Sequence, residues 1–128
     1  MRCLDSTFLI DLLKGDAAAA AKMREIESLG ETVSLAAPSL AELLLGAHFK
    51  GGALLRETLD VVSRLEVLEV DATVAGEAGR LGAELLRRGL GLPTTDLLIA
   101  AAARLRGQIL VTRDADFARI PGLAIEGY

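Results

Sequence analysis

Asp96-Leu97-Leu98-Ile99-Ala100-Ala101-Ala102-Ala103-Arg104-Leu105-Arg106-Gly107-Gln108-Ile109-Leu110-Val111-Thr112-Arg113-Asp114 is the stretch on which the fold turns. Leu97 to Ala103 are all apolar, so the helix they form has no polar face and must be buried. Thr94-Thr95-Asp96 opens that helix, which runs to Arg106, and Gly107 stops it. Gln108–Thr112 then reads as a strand rich in aliphatic residues, and an acid follows it at Asp114. A buried helix thus hands the chain to a strand, and the strand delivers a carboxylate.

The same alternation continues outward. Arg2–Leu4 reads as a strand, followed by a helix over Thr7–Leu13 that Gly15 ends. Asp16 caps a helix over Ala17–Leu29, ending at Gly30. Thr32–Ala36 is the next strand, and Pro38-Ser39 opens a helix reaching Phe49. Gly51-Gly52 breaks it before a helix over Ala53–Leu65 and the alternating strand Glu66–Val70. Asp71 caps a long helix ending near Arg88-Gly89, in which Gly76, Gly79 and Gly82 are read as marks of close packing, each costing ~1 kcal/mol relative to Ala. Leu90–Pro93 is a loop, and Leu123–Glu126, after Pro121-Gly122, is an edge strand. Strands alternating with helices specify an α/β fold, a mostly parallel central sheet with helices on both faces. Ligands of such sheets bind beyond the carboxyl ends of the strands.

A chain of 128 residues, 52% apolar and 25% charged, holds one domain over 1–128 and has enough apolar surface to fold. With only three Phe, one Tyr and no Trp, the core is aliphatic and a base-stacking platform is not expected. The single cysteine, Cys3, leaves no internal disulfide and no thiolate cluster, which fits a reducing cytoplasm. Asp5 and Asp11 interrupt the apolar start in a way a signal peptide would not, and no apolar run reaches the ~20 residues of a membrane span. A net charge of −4 argues against a surface that grips phosphate directly. It is unevenly spread: −6 over residues 1–79 and +2 over 80–128. Six acids, Asp5, Asp11, Glu42, Asp96, Asp114 and Asp116, fall in segments assigned to one site. Without them the remainder is +2, as suits an acidic pocket in a mildly basic surround.

Asp5 and Asp114 end strands and should share one rim of the sheet, although turn or N-cap duty is the commonest use of Asp in such places. Asp96 opens its helix where Thr94 and Thr95 are available as caps, which frees the carboxylate. Ser39, Glu42 and Gly46, spaced i, i+3, i+7, share a stripe distinct from Leu40, Leu43, Leu44 and Ala47, although a solvent-facing Glu is the plain alternative. Carboxylates converging to ~4 Å repel by about 4 kcal/mol per adjacent pair at an effective dielectric near 20. Such a cluster needs an offsetting cation, and ligands made only of oxygen favour Mg²⁺ or Mn²⁺. His48 stands alone and makes no zinc site.

In this order and spacing, the residues resemble the PIN-domain signature. Leu4-Asp5-Ser6-Thr7-Phe8-Leu9-Ile10-Asp11 is similar to its opening strand and turn, and Pro38-Ser39-Leu40-Ala41-Glu42-Leu43-Leu44-Leu45-Gly46 to its second motif. Asp96-Leu97-Leu98-Ile99-Ala100-Ala101 resembles the third, and Val111-Thr112-Arg113-Asp114-Ala115-Asp116-Phe117 the fourth, with Arg113 where Asn is frequent. The resemblance spans the chain, and the closing Pro121-Gly122-Leu123 points to the VapC-type toxin branch. It implies a PIN-like three-layer fold and hydrolysis of RNA phosphodiester bonds by an Mg²⁺- or Mn²⁺-dependent endoribonuclease, without a covalent enzyme intermediate. Asp5, Glu42, Asp96 and Asp114 would be the catalytic and metal-site acids. Asp116 would be a helper or alternative ligand, and Ser6 and Thr112 donors that orient carboxylates. Implied partners are the RNA substrate, a cognate antitoxin laid across an apolar groove, and a second copy in a homodimer.

Competing readings fit less well. A phospho-receiver domain needs a Lys after its last strand, and Gln108–Phe117 has none. A haloacid-dehalogenase-type phosphatase needs an Asp where Thr7 stands. No glycine-rich phosphate loop supports a nucleotide switch. A catalytically inactive PIN-like interaction module keeps the fold but leaves four intact acids without a task.

Overall fold

In the computed structural model, which describes all of residues 1–128, five strands and six α-helices alternate along the chain. The strands are β1 (Arg2–Leu4), β2 (Val33–Ala36), β3 (Glu66–Leu68), β4 (Ile109–Val111) and β5 (Ile125–Glu126). The helices are α1 (Ser6–Leu13), α2 (Ala17–Ser28), α3 (Ala37–Lys50), α4 (Gly52–Val62), α5 (Ala72–Arg87) and α6 (Thr94–Leu105). A 3₁₀ turn over Ala115–Arg119, not anticipated from the pattern, follows β4. The sheet order is β3-β2-β1-β4-β5 and every pairing is parallel, the edge strand β5 included.

Alternate residues of β1 feed two cores, as the two-residue period of a strand dictates. Leu4 points into a cluster with Phe8, Leu9, Ile26, Leu35, Leu43 and Val111, under α1, α2 and α3. Cys3 points to the other face, where Leu68, Val74, Leu81, Leu85, Leu110 and the whole run Ile99–Ala103 pack beneath α5 and α6. Ala100 to Ala103 are completely buried, the all-round burial expected of a helix with no polar face. Burial also pushes the Cys3 thiol up to about 11, so this side chain packs and does not act as a nucleophile. No helix is long and apolar enough to cross a membrane.

Asp16 and Asp71 cap α2 and α5 as expected, accepting from Ala19 N–H and Val74 N–H. Other expectations need correcting. The N-cap of α6 is Pro93, and neither Thr94 nor Thr95 caps: the extended Pro93 already sets the helix entry, so both threonines lie inside the first turn. Of the three α5 glycines only Gly82 makes a close approach, where an added Cβ would stand 2.8 Å from Leu97 Cδ1. Gly76 and Gly79 face open space. Ser39 is fully buried in line with Leu43 and Ala47, four residues apart, because α3 turns that stripe toward its neighbours; it does not share the exposed stripe of Glu42 and Gly46. The Ser39 hydroxyl has no hydrogen-bond partner.

Candidate active site

Asp5 is the point from which the site grows. The β1–β4 ladder carries on past the strand end, Asp5 N–H donating to Val111 O at 3.0 Å, so the residue is fixed at the carboxyl rim. Its side chain is only 4% exposed, and such burial requires partners for a charged group. Ser6 N–H donates to Oδ1 at 2.8 Å, while the hydroxyls of Thr7 and Thr112 donate to Oδ2 at 2.9 and 2.8 Å. Asp5 therefore does cap α1, the ordinary use of such a residue. Yet its ~four lone-pair sites are not exhausted by three donors. The donor expected from Ser6 is its backbone N–H, and the hydroxyl that orients Asp5 locally belongs to Thr7. Thr7 was missed because Ser6 is the nearer hydroxyl in sequence, whereas the helix start swings Thr7 back over the carboxylate.

Thr112 connects Asp5 to the second strand-end acid. Its Oγ1 donates to Asp5 and accepts from Asp114 N–H at 3.0 Å, so one side chain sets both carboxylate-bearing segments. Asp114 Oδ1 accepts from Asp116 N–H at 2.9 Å and caps the 3₁₀ turn. Asp116 points outward, more than half exposed, and pairs with Arg119 at 3.3 Å.

Glu42 and Asp96 come from α3 and α6. Neither has a cationic partner within ion-pair distance, unlike Asp116 at the margin of the site, which pairs with Arg119. Desolvation, then the charges of Asp5 and Asp96, raises the Glu42 carboxyl above the usual carboxylate range. Desolvation, then Asp114, Asp5 and Asp116, does the same to Asp96. The sheet and two helices thus bring Asp5, Glu42 and Asp96 within electrostatic reach of one another, and Asp114 and Asp116 within reach of Asp96.

Asp11 does not belong to this group. Its Oδ2 accepts from Tyr128 Oη at 2.6 Å and lies 3.4 Å from the Arg113 guanidinium, which also reaches Asp16 at 3.5 Å and sits 4.5 Å above the Tyr128 ring. Asp11, one turn after Thr7 on α1, ties the β4 exit and Tyr128 to that helix.

The donors are all oxygens, which suits a hard divalent ion. No three of the carboxylates stand close enough to clasp an ion unaided. That spacing fits Mg²⁺, which keeps several waters and commonly takes only one or two carboxylates directly, better than a closed cage.

The PIN domain model matches residues 2–123, and the chain belongs to that family. It is similar to ribonuclease VapC2 of Rickettsia felis, 34% identical over 107 residues, covering 81% of this chain and 80% of that one. It is also similar to the tRNA(fMet)-specific endonuclease VapC of Salmonella typhimurium, 43% identical over 68 residues; that match spans about half of the relative, 52% of each chain. Among solved structures it superposes on VapBC2 from Rickettsia felis, bound to a DNA fragment from their promoter, with a TM-score of 0.84. The identity there is 29%, and 99% of this chain and 98% of that one are covered.

Proposed function

We propose that this chain is a metal-dependent endoribonuclease and the toxin half of a toxin–antitoxin pair. The observation that carries the reading is the convergence of unpaired Glu42 and Asp96 on the buried Asp5, whose charge raises the cost of ionising both, in a chain similar to two named VapC nucleases. Repulsion of this kind is a stability cost, tolerated where a cation is to be bound. Asp5, Glu42, Asp96 and Asp114 are the residues that would hold Mg²⁺ or Mn²⁺, with Asp116 an outer helper. The bound ion would polarise the scissile phosphodiester and make water a stronger nucleophile.

The chain's own residues have separable tasks. Thr7, Thr112 and the Ser6 N–H hold the Asp5 carboxylate in one orientation at the rim. Thr112 also fixes the backbone entering Asp114. Glu42 and Asp96, raised by burial and by their neighbours, are the carboxylates whose repulsion a bound ion would relieve, and a rim carboxylate not engaged by the ion would take the proton of the attacking water. The water oxygen bonds to phosphorus as the bond to the leaving oxygen breaks, and no bond to the enzyme forms. The similarity to the VapBC2 assembly supports a cognate antitoxin as the protein partner. Leu45 and Phe49, 74% and 90% exposed on α3, support a second copy in a homodimer, which light scattering would report as twice 13.4 kDa.

Cleavage of a generic RNA with Mg²⁺ or Mn²⁺ and its loss in chelator is the test. Unchanged cleavage in excess chelator would overturn the metal-dependent reading, and no cleavage under any condition would overturn the nuclease.

A further inference from the structure

We infer that the cleft between α1, α3 and α4 is a track for the RNA backbone, in which Lys14 and Lys50 bind phosphates leading to Glu42; this rests on the ribonuclease reading above. The cleft has a volume of about 240 Å³ and holds Lys14, Glu42 and Lys50 as its charged lining residues, over apolar walls that include Ile10, Leu43 and Leu54.

The cations near the carboxylates differ in one respect. Arg113 is engaged by Asp11 and Asp16, and Arg119 by Asp116 and the Gly91 carbonyl. Lys14 and Lys50 have no carboxylate within 4.0 Å, although Glu42 lines the same cleft. Both lie at helix C-termini, where a cation is favoured by the dipole. That preference does not require helices thirty-odd residues apart in sequence to turn their terminal lysines into one cleft. A strand of phosphates would be held by both, and against the expectation from the net charge of −4 these two cations, free of carboxylate partners beside the acids, would offset its repulsion locally.

The experiment is binding of a fluorescent single-stranded oligoribonucleotide of mixed sequence to the full chain in chelator, titrated over salt concentration, with a melt of each variant to confirm folding. Each lost phosphate contact to a single strand removes about 0.7 from the slope of log affinity against log salt, or about fivefold in affinity near 0.1 M. The double variant Lys14→Ala/Lys50→Ala should therefore bind about 25-fold more weakly with a slope shallower by about 1.4, and Lys14→Arg/Lys50→Arg should bind like the parent. Equal affinity and slope in the double alanine variant would overturn the track while leaving cleavage, and so the nuclease reading, intact. Parent protein that binds no RNA in chelator would also overturn it. Unchanged RNA binding with lost association to an antitoxin segment would give the cleft to a protein and overturn it too.

Discussion

Two groups of charges on this sheet are built on opposite rules. Around Arg2, at the start of β1, every acid meets a base. Arg2 makes a paired contact to Glu126 with both oxygens at 3.0 Å and reaches Glu31 at 2.9 Å, while Lys22 joins Glu126 at 3.1 Å. At the other end of the same strand, Asp5 faces Glu42, Asp96 and Asp114 with hydroxyls and N–H groups but no base. The hydrogen bonds from Arg2 hold the Glu126 carboxyl below the usual range, whereas burial and like charge raise Glu42 and Asp96 above it. One strand three residues long thus separates acids paired with bases from acids left without one.

The contrast breaks most sharply at Asp96. Since Pro93 occupies the N-cap and Asp96 makes no capping bond, Asp96→Asn removes a charge without removing a structural contact. RNA cleavage and Mg²⁺ affinity should each fall by ~100-fold or more, while the metal-free melting temperature stays level or rises. A parental cleavage rate in this variant would dismantle the proposed catalytic cluster. Thr112→Val tests the support of the cluster. Loss of the hydroxyl frees Asp5 and unpins Asp114 N–H, so metal affinity should drop ~10–100-fold with some loss of stability. Isothermal titration with Mn²⁺ beside a melt separates the two effects, and unchanged affinity would reduce Thr112 to a packing residue.

The sheet was legible because its strands are apolar runs punctuated by Gly, Pro and Asp, and because Leu97–Ala103 can only be buried. The acids at strand ends were legible for a related reason: parallel strands all end on one rim. Side-chain direction was harder. On α3 the stripes through Ser39–Leu43–Ala47 and through Ser39–Glu42–Gly46 share a residue and differ by a small rotation. What α3 packs against decides between them, and a sequence pattern does not contain that. Asp11 likewise stands six residues from Asp5 in sequence, yet its task was invisible until Arg113 and Tyr128, over a hundred positions later, were seen to close on it. The open surroundings of Gly76 and Gly79 make the same point, since helix glycines signal close packing only when a neighbour is there.

On the paired side, Arg2→Met should cost about 1–2 kcal/mol in urea melts, because partly buried Glu126 loses two charged hydrogen bonds but keeps Lys22. Cleavage of RNA at a temperature where the variant stays folded should be unchanged. A fall in activity beyond what unfolding explains would mean that the two groups of charges communicate along β1.

The smallest effect, and the one that compares both groups in one experiment, is the pH dependence of the metal-free melt. Glu126 has a depressed folded value, so its contribution is present above the unfolded value of 4.5 and is lost as pH falls through the lower folded one. Glu42 and Asp96 have raised folded values, so their contribution has the other sign. It is full below their unfolded values of 4.5 and 3.8, and is lost as pH rises through the higher folded ones. Glu126→Gln should therefore flatten the acid side of the melting profile, and Glu42→Gln/Asp96→Asn should flatten the decline above it. Adding Mg²⁺ to the parent should imitate the second change, since an ion bound only by the folded, ionised cluster offsets its repulsion. Profiles of the three proteins between roughly pH 3 and 7 suffice, in chelator and with Mg²⁺. If the double amide variant altered the acid side as Glu126→Gln does, the carboxylates at the rim would be paired like those around Arg2. The contrast between the two groups would then be lost.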